Sequence, residues 1–236
     1  MVGAALSRRG DNYWGQLGDG TTTSTTTPPT SDVLTDVQAI AVADTFTCAL
    51  RTDGGIRCWG DYPGATGPRT DERWKPSTTD LLAGVQAIAA SSGTSGLGFM
   101  CALMVTGAVR CWGYGDPIPS DEFGLLPSEV LDVLTNVSAV AAGLNYVCAL
   151  MTTGGVRCWG ANEQGQLGDG TLVDRSAPPD SDVLTGVQAI TTGDDHTCAL
   201  MTTGAVRCWG NRSSGELGDG VKFVIPIPVP VVGTCQ

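Results

Sequence analysis

Cysteines recur in this chain as pairs ten residues apart, and the pairs themselves recur at intervals of 53, 47 and 50 residues. Cys48, Cys101, Cys148 and Cys198 each open a C-A-L segment, and Cys58, Cys111, Cys158 and Cys208 each sit in C-W-G. Two apolar runs around a glycine-bearing tip, such as "CALMTTGGVRCWG" at residues 148–160, read as a β-hairpin. Other pieces repeat in fixed order around it. A V-Q-A-I run or a variant precedes each hairpin, from Val37, Val85, Val137 and Val187, while "GQLGDG" follows at 15–20 and 165–170 and "GELGDG" at 215–220. One small sheet cannot cover both of its faces, but neighbours stacked around an axis can. The expectation is therefore an all-β fold: a β-propeller of about 50-residue repeats with four-stranded antiparallel blades. A single domain, 1–236, divides into units of roughly 1–54, 55–107, 108–154, 155–204 and a partial 205–236, about five blades. The 33 glycines and 13 prolines suit short strands joined by turns.

The segment "GVQAITTGDDHTCALMTTGAVRCWGNRSSGELGDG" resembles the repeat of the regulator of chromosome condensation family, here in a secreted, cysteine-paired, bacterial-type version. The resemblance covers nearly the whole chain, in four hairpins and five Gly-rich excursions, two of them degenerate. It implies a propeller, usually of seven blades. It leaves function open, since such propellers serve as exchange factors, light receptors, ligase modules and secreted binding proteins.

A turn centred on residues 202–204 sets Cys198 opposite Cys208 and Leu200 opposite Val206, all on one side of the sheet. The same register holds in every copy, and directly opposed residues are close enough for a disulfide. Four hairpin disulfides are expected: Cys48–Cys58, Cys101–Cys111, Cys148–Cys158 and Cys198–Cys208. Reduced thiols acting as small apolar fillers are the alternative. Zinc fits poorly, because the pairs lie one to a blade and His196 is the only histidine, so no metal and no cofactor is expected. Paired cysteines point to an extracellular or cell-surface location, with the cytoplasm as the alternative. No secretory signal is recognised in "MVGAALSRRG", and no run is long enough to enter a membrane. Because the chain opens and closes on half units, it reads either as a piece of a longer repeat protein or as a five-bladed ring closed by "IPIPVPVV". Cys235 is the ninth, odd cysteine, and it or an open propeller edge offers a route to self-association.

In the excursions, Leu17, Leu167 and Leu217 are expected to plug into the core, and Gly18, Gly168 and Gly218 to let the backbone fold tightly. Trp59, Trp112, Trp159 and Trp209 are expected to pack blade on blade. Arg57, Arg110, Arg157 and Arg207 read as solvated hairpin ends, with salt-bridged arginines as the alternative.

No nucleophile elbow, zinc-protease motif or paired catalytic carboxylate is recognisable, so the chain reads as a non-enzyme. A net charge of −11 repels a phosphate backbone and argues against nucleic acid. Propellers bind through face loops. The segments before each first cysteine diverge, and Phe46, Phe99, Tyr146 and His196 stand two residues ahead of it, beside Asp44, Asn145, Asp194 and Asp195. These form one candidate partner-binding surface, with wedging of the flat side chains between blades as its competitor. A second comes from the degenerate excursions, with Tyr62, Arg69, Arg73, Trp74 and Lys75 in one and Tyr114, Asp121, Glu122 and Phe123 in the other. The function expected is non-enzymatic binding of a protein partner through face loops. An intracellular exchange or regulatory propeller acting on a small GTPase and a structural segment of a larger surface protein are the alternatives.

Overall fold

A computed structural model describes residues 10–27, 30–65, 72–93, 98–114, 131–217 and 224–231. All regular elements there are strands, in four antiparallel sheets. The first sheet holds β1 (Val37–Val42), β2 (Phe46–Arg51) and β3 (Ile56–Gly60). The second holds β4 (Val85–Ser91), β5 (Phe99–Met104) and β6 (Val109–Gly113), and the third β7 (Val137–Gly143), β8 (Tyr146–Met151) and β9 (Val156–Gly160). The fourth holds β10 (Val187–Thr192), β11 (His196–Met201), β12 (Val206–Gly210) and β13 (Ile225–Pro230). Each β-hairpin bridges two of the sequence units, so every sheet is assembled from parts of both. Neighbouring sheets touch through their first strands, β1 to β4 to β7 to β10, as the blades of a propeller do.

The fold starts from alternation. Successive side chains of a strand point to opposite faces, so Phe46, Cys48 and Leu50 share one face while Thr47 and Ala49 share the other. The first face of each blade meets the second face of the next. Phe46, Cys48, Leu50 and Ile56 pack on Met100, Ala102, Met104 and Trp112. Phe99, Leu103 and Val109 pack on Val147, Ala149 and Trp159, and Tyr146, Leu150 and Val156 on Ala199, Met201 and Trp209. These three tryptophans and Trp59 are at most 1% exposed, as expected of blade-to-blade spacers.

Backbone hydrogen bonds tie the same joints. The carbonyl of the hairpin-tip glycine accepts the N–H that opens the next sheet: Val85 to Gly54, Val137 to Gly107 and Val187 to Gly154, at 2.9–3.0 Å. The residue before each of those opening strands, Asp36, Gly84, Asn136 or Gly186, has φ between 58° and 72°. That left-handed conformation is open to Gly, Asn and Asp and costly for others. It explains why this position varies only among those residue types.

The register expected of the hairpins is the one found, with Cys48↔Cys58, Cys101↔Cys111, Cys148↔Cys158 and Cys198↔Cys208 as cross-strand partners. All four pairs are disulfides with Cα atoms 4.1 Å apart. Because Arg51 N–H bonds to Gly55 O, the flanking pairs alternate and the cysteines fall on the non-hydrogen-bonded, closer pair.

The expected fourth strand forms in one blade. Among the described residues of the other three, the contacts in its place are single bridges, Ile56↔Leu82, Val109↔Leu134 and Val156↔Leu184, with the Gly60–Arg73 and Gly160–Arg175 contacts at the far end of two of them. In the fourth blade, "IPIPVP" runs continuously beside β12. Val231 N–H bonds to Val206 O, so Val229 faces β12 as well and the nitrogens of Pro228 and Pro230 turn to the outer edge. Proline has no N–H to leave unpaired there.

Candidate functional site

The first strands converge at one end of the axis on a cavity of about 290 Å³. Every blade contributes: Val42 and Asp44, Ser91 and Ser92, Gly143 and Leu144, Gly193 and Asp194. The turns are held to one another across blades. Asp44 N–H donates to Ser92 Oγ at 2.7 Å, and Leu144 N–H to the Asp194 carbonyl at 2.9 Å. A fixed contact also fastens each turn to the chain leaving its own blade, with Asp61 N–H on Thr45 O, Ala161 N–H on Asn145 O and Asn211 N–H on Asp195 O. The mouth is acidic. Asp44 and Asp194 are exposed on it, and Asp195 beside them is half-buried. Burial, followed by the adjacent Asp194 carboxylate, pushes the Asp195 carboxyl above its ordinary value.

The flat residues two places before each cysteine do not line this mouth. Phe46, Phe99 and Tyr146 are wholly buried, so of the two readings of these rings the structure has the wedge between blades and not the partner-facing surface. The cause is the next blade. The backbone at Gly98 lies directly over the Phe46 ring, and the Tyr146 hydroxyl donates to the carbonyls of Gly193 and His196 while accepting from Thr197 Oγ1. Burial drives the Tyr146 phenol far above its usual range. His196 is half-buried, since among the described residues no blade follows the fourth. Asn145 is also half-buried, in a left-handed turn with φ 59°.

From the second surface, Tyr62 is half-buried against the first core cluster, and burial raises its phenol. Trp74 lies over Gly15, where a Cβ would collide with its ring. Arg73 pairs with Asp61 at 2.9 Å. Arg69, Asp121, Glu122, Phe123 and Cys235 lie outside the described residues.

Several anchoring residues escaped the sequence reading. In the intact excursions, Asn12 and Asn162 are fully buried, accepting Leu17 or Leu167 N–H on Oδ1 and donating through Nδ2 to the carbonyls at 21 and 23 or at 171 and 173. The carbonyls of Gln16 and Gln166 each accept two bonds, from Trp59 Nε1 and Thr47 Oγ1 and from Trp209 Nε1 and Thr197 Oγ1. Gly18 and Gly168 are required there because a Cβ would stand 2.5–2.6 Å from the indole nitrogen. Three of the four hairpin arginines are ion-paired rather than solvated: Arg57–Asp80, Arg110–Asp132 and Arg157–Asp182 at 2.7–2.8 Å. The signal was an aspartate two places before Leu82, Leu134 and Leu184.

Residues 137–166 and 187–216, and separately 153–200, match the regulator of chromosome condensation (RCC1) repeat. These are RCC1 repeats. The chain has the RCC1 propeller fold throughout: yeast RCC1 (Prp20) bound to Kap60 superposes with a TM-score of 0.80 at 19% identity, over 99% of this chain and 59% of that one. Prp20p from Saccharomyces cerevisiae, studied for its binding to Gsp1p and histones, gives 0.79 at 21% identity over 100% and 62%. Human WBSCR16 gives 0.74 at 20% identity over 98% and 64%. The chain thus spans about three fifths of the length of these RCC1-fold proteins. No curated protein matches its sequence.

Proposed function

We propose that this RCC1-repeat propeller is a non-enzymatic protein-binding module of an oxidising compartment, and that its acidic axial mouth takes a basic segment of the partner. The observation that carries this reading is the convergence of the four divergent turns on one cavity whose exposed charges, Asp44 and Asp194, are both negative. A net charge of −11 adds a long-range field that steers a basic partner toward it. Yeast Prp20 in complex with Kap60 supports protein binding by this fold. The four hairpin disulfides support an exported location.

Binding of a lysine- and arginine-rich peptide, followed by fluorescence anisotropy at rising salt, tests the mouth. The paired substitution Asp44→Asn and Asp194→Asn is expected to weaken binding by roughly ten-fold and flatten its salt dependence. Unchanged affinity in that variant rejects the assignment. Titration of free thiols in unreduced, denatured protein tests the compartment: about one thiol per chain supports it and about nine rejects it. The second reading is a regulatory propeller acting on a small GTPase. It rests on the likeness to Prp20, whose binding to Gsp1p was studied, and nucleotide release from a GTPase in the presence of this chain would favour it.

A further inference from the structure

The hairpin disulfides are four copies of one chemical group, and three of them are sealed. Cys48, Cys58, Cys101, Cys111, Cys148 and Cys158 are at most 1% exposed. Their cover comes from the next blade: Met100 Sδ lies 3.8 Å from Cys58 Sγ, Thr197 Oγ1 lies 3.7 Å from Cys148 Sγ, and Val147 packs in the cluster that holds Cys101 and Cys111. Met100, Val147 and Thr197 occupy one position of successive blades, just before the first cysteine. Among the described residues no further blade supplies that position over the fourth bridge. Cys198 is accordingly half-buried, while Cys208 is only 3% exposed. Because β11 is paired on both sides, by β10 and β12, what Cys198 exposes is its side chain, on the face it shares with Leu200. Its neighbour across on β10, Thr191, is exposed too, whereas the corresponding Ala41 and Ala89 are buried.

We propose that Cys198 is a thiol-acceptor site, which takes a small neutral or cationic thiol as a mixed disulfide. A disulfide sulfur is attacked by a thiolate, in line with the bond that breaks. Attack on Cys198 Sγ therefore comes from the β10 side, over exposed Thr191. Attack on Cys208 Sγ would come from the β13 side, over half-buried Val229, and would reach a buried atom. As the new bond to Cys198 Sγ forms, the Cys198–Cys208 bond breaks and its electron pair leaves on Cys208 Sγ, which takes a proton from water. One disulfide is exchanged for another, so no further oxidant or reductant enters. Cys208 remains directly opposite in the sheet, and its thiolate can expel the adduct and restore the bridge. Charge then selects among thiols. Asp195 feels the charges of Asp194, His196 and Glu216 at the axial end of this face, and the whole chain carries −11, so an anionic thiol is repelled.

Incubating the native full chain with cysteamine, stopping the exchange by alkylation and reading each cysteine by peptide mass spectrometry tests the assignment. The Cys235→Ser background keeps the odd cysteine from acting as an internal nucleophile. Cysteamine is expected on Cys198, with Cys208 alkylated, at least roughly ten-fold faster than at any other bridge, since the sealed ones need a local opening first. Thr191→Phe covers the approach and is expected to slow the adduct roughly five-fold at an unchanged melting midpoint. Thr191→Ala, which installs the residue of the other blades, is expected to leave it unchanged. With each thiol normalised to its rate on a small neutral disulfide, cysteamine is expected to outpace 3-mercaptopropionate roughly three-fold or more, a gap that closes at high salt. Equal rates at all four bridges, an adduct on Cys208, indifference to Thr191→Phe or a preference for the anionic thiol overturns the proposal. So do Cys198 and Cys208 found as free thiols in the isolated protein. The acidic mouth is tested by Asp44 and Asp194 with a peptide, so the two assignments fail separately.

Discussion

The first three blades and the fourth have nearly the same hairpin, yet they bury it differently. Leu50, Leu103 and Leu150 are at most 5% exposed, whereas Leu200 is 37% exposed; Ile56, Val109 and Val156 are fully buried, whereas Val206 is 41% exposed. The C-A-L face thus gets its burial from the following blade and not from its own sheet. Hydrophobic stabilisation in this fold resides in the joints.

Leu150→Ala against Leu200→Ala puts the largest strain on that contrast. The first is expected to cost about 2–5 kcal/mol, from lost transfer energy and a cavity, and the second within about 0.5 kcal/mol. Equal costs in denaturant melts would show that the fourth face is covered in solution. Trp209→Phe against Trp112→Phe sharpens it next. Trp209 Nε1 donates to Gln166 O, while Trp112 Nε1 is buried with no partner among the described residues. The Trp209 change is expected to cost about 1 kcal/mol more, again by denaturant midpoint.

Graded reduction followed by mass spectrometry of the alkylated hairpins comes third. Cys198 is half-buried, whereas Cys48, Cys101 and Cys148 are wholly buried, so the Cys198–Cys208 bridge is expected to open first. The smallest effect is electrostatic. A carboxyl whose folded pKa is raised, as for Asp195, binds its proton more tightly folded than unfolded, so stability falls as pH climbs from the ordinary carboxylate pKa through the raised one. Asp195→Asn is expected to raise the melting midpoint slightly at neutral pH, with the gain vanishing in acid.

The fold was legible because the repeat states its own register. Ten residues between cysteines and a glycine tip leave one way to pair V-R-C-W with C-A-L. The burial of Phe46, Phe99 and Tyr146 was legible only as one of two readings, since choosing it depends on a blade about fifty residues away. The excursions carried a subtler signal. Thr47 and Thr197 stand beside intact excursions and bond to the Gln16 and Gln166 carbonyls, while Met100 and Val147 replace them where the excursion has decayed. Buried Asn12 and Asn162 look like any loop asparagine until the loop is closed around them. The acidic residues of the mouth were recognised individually. Their shared cavity depends on how the blades turn about the axis, which no single repeat encodes.

The prolines of β13 limit how this molecule can be approached. With Pro228 and Pro230 presenting ring carbons along the outermost border of the fourth sheet, an extended peptide finds few donors with which to zip on as an extra strand, and sheet-to-sheet fibril growth is blocked along that border too. Recruitment there is left to side chains and turns, which read shape and charge and can change from one relative to the next without disturbing the barrier.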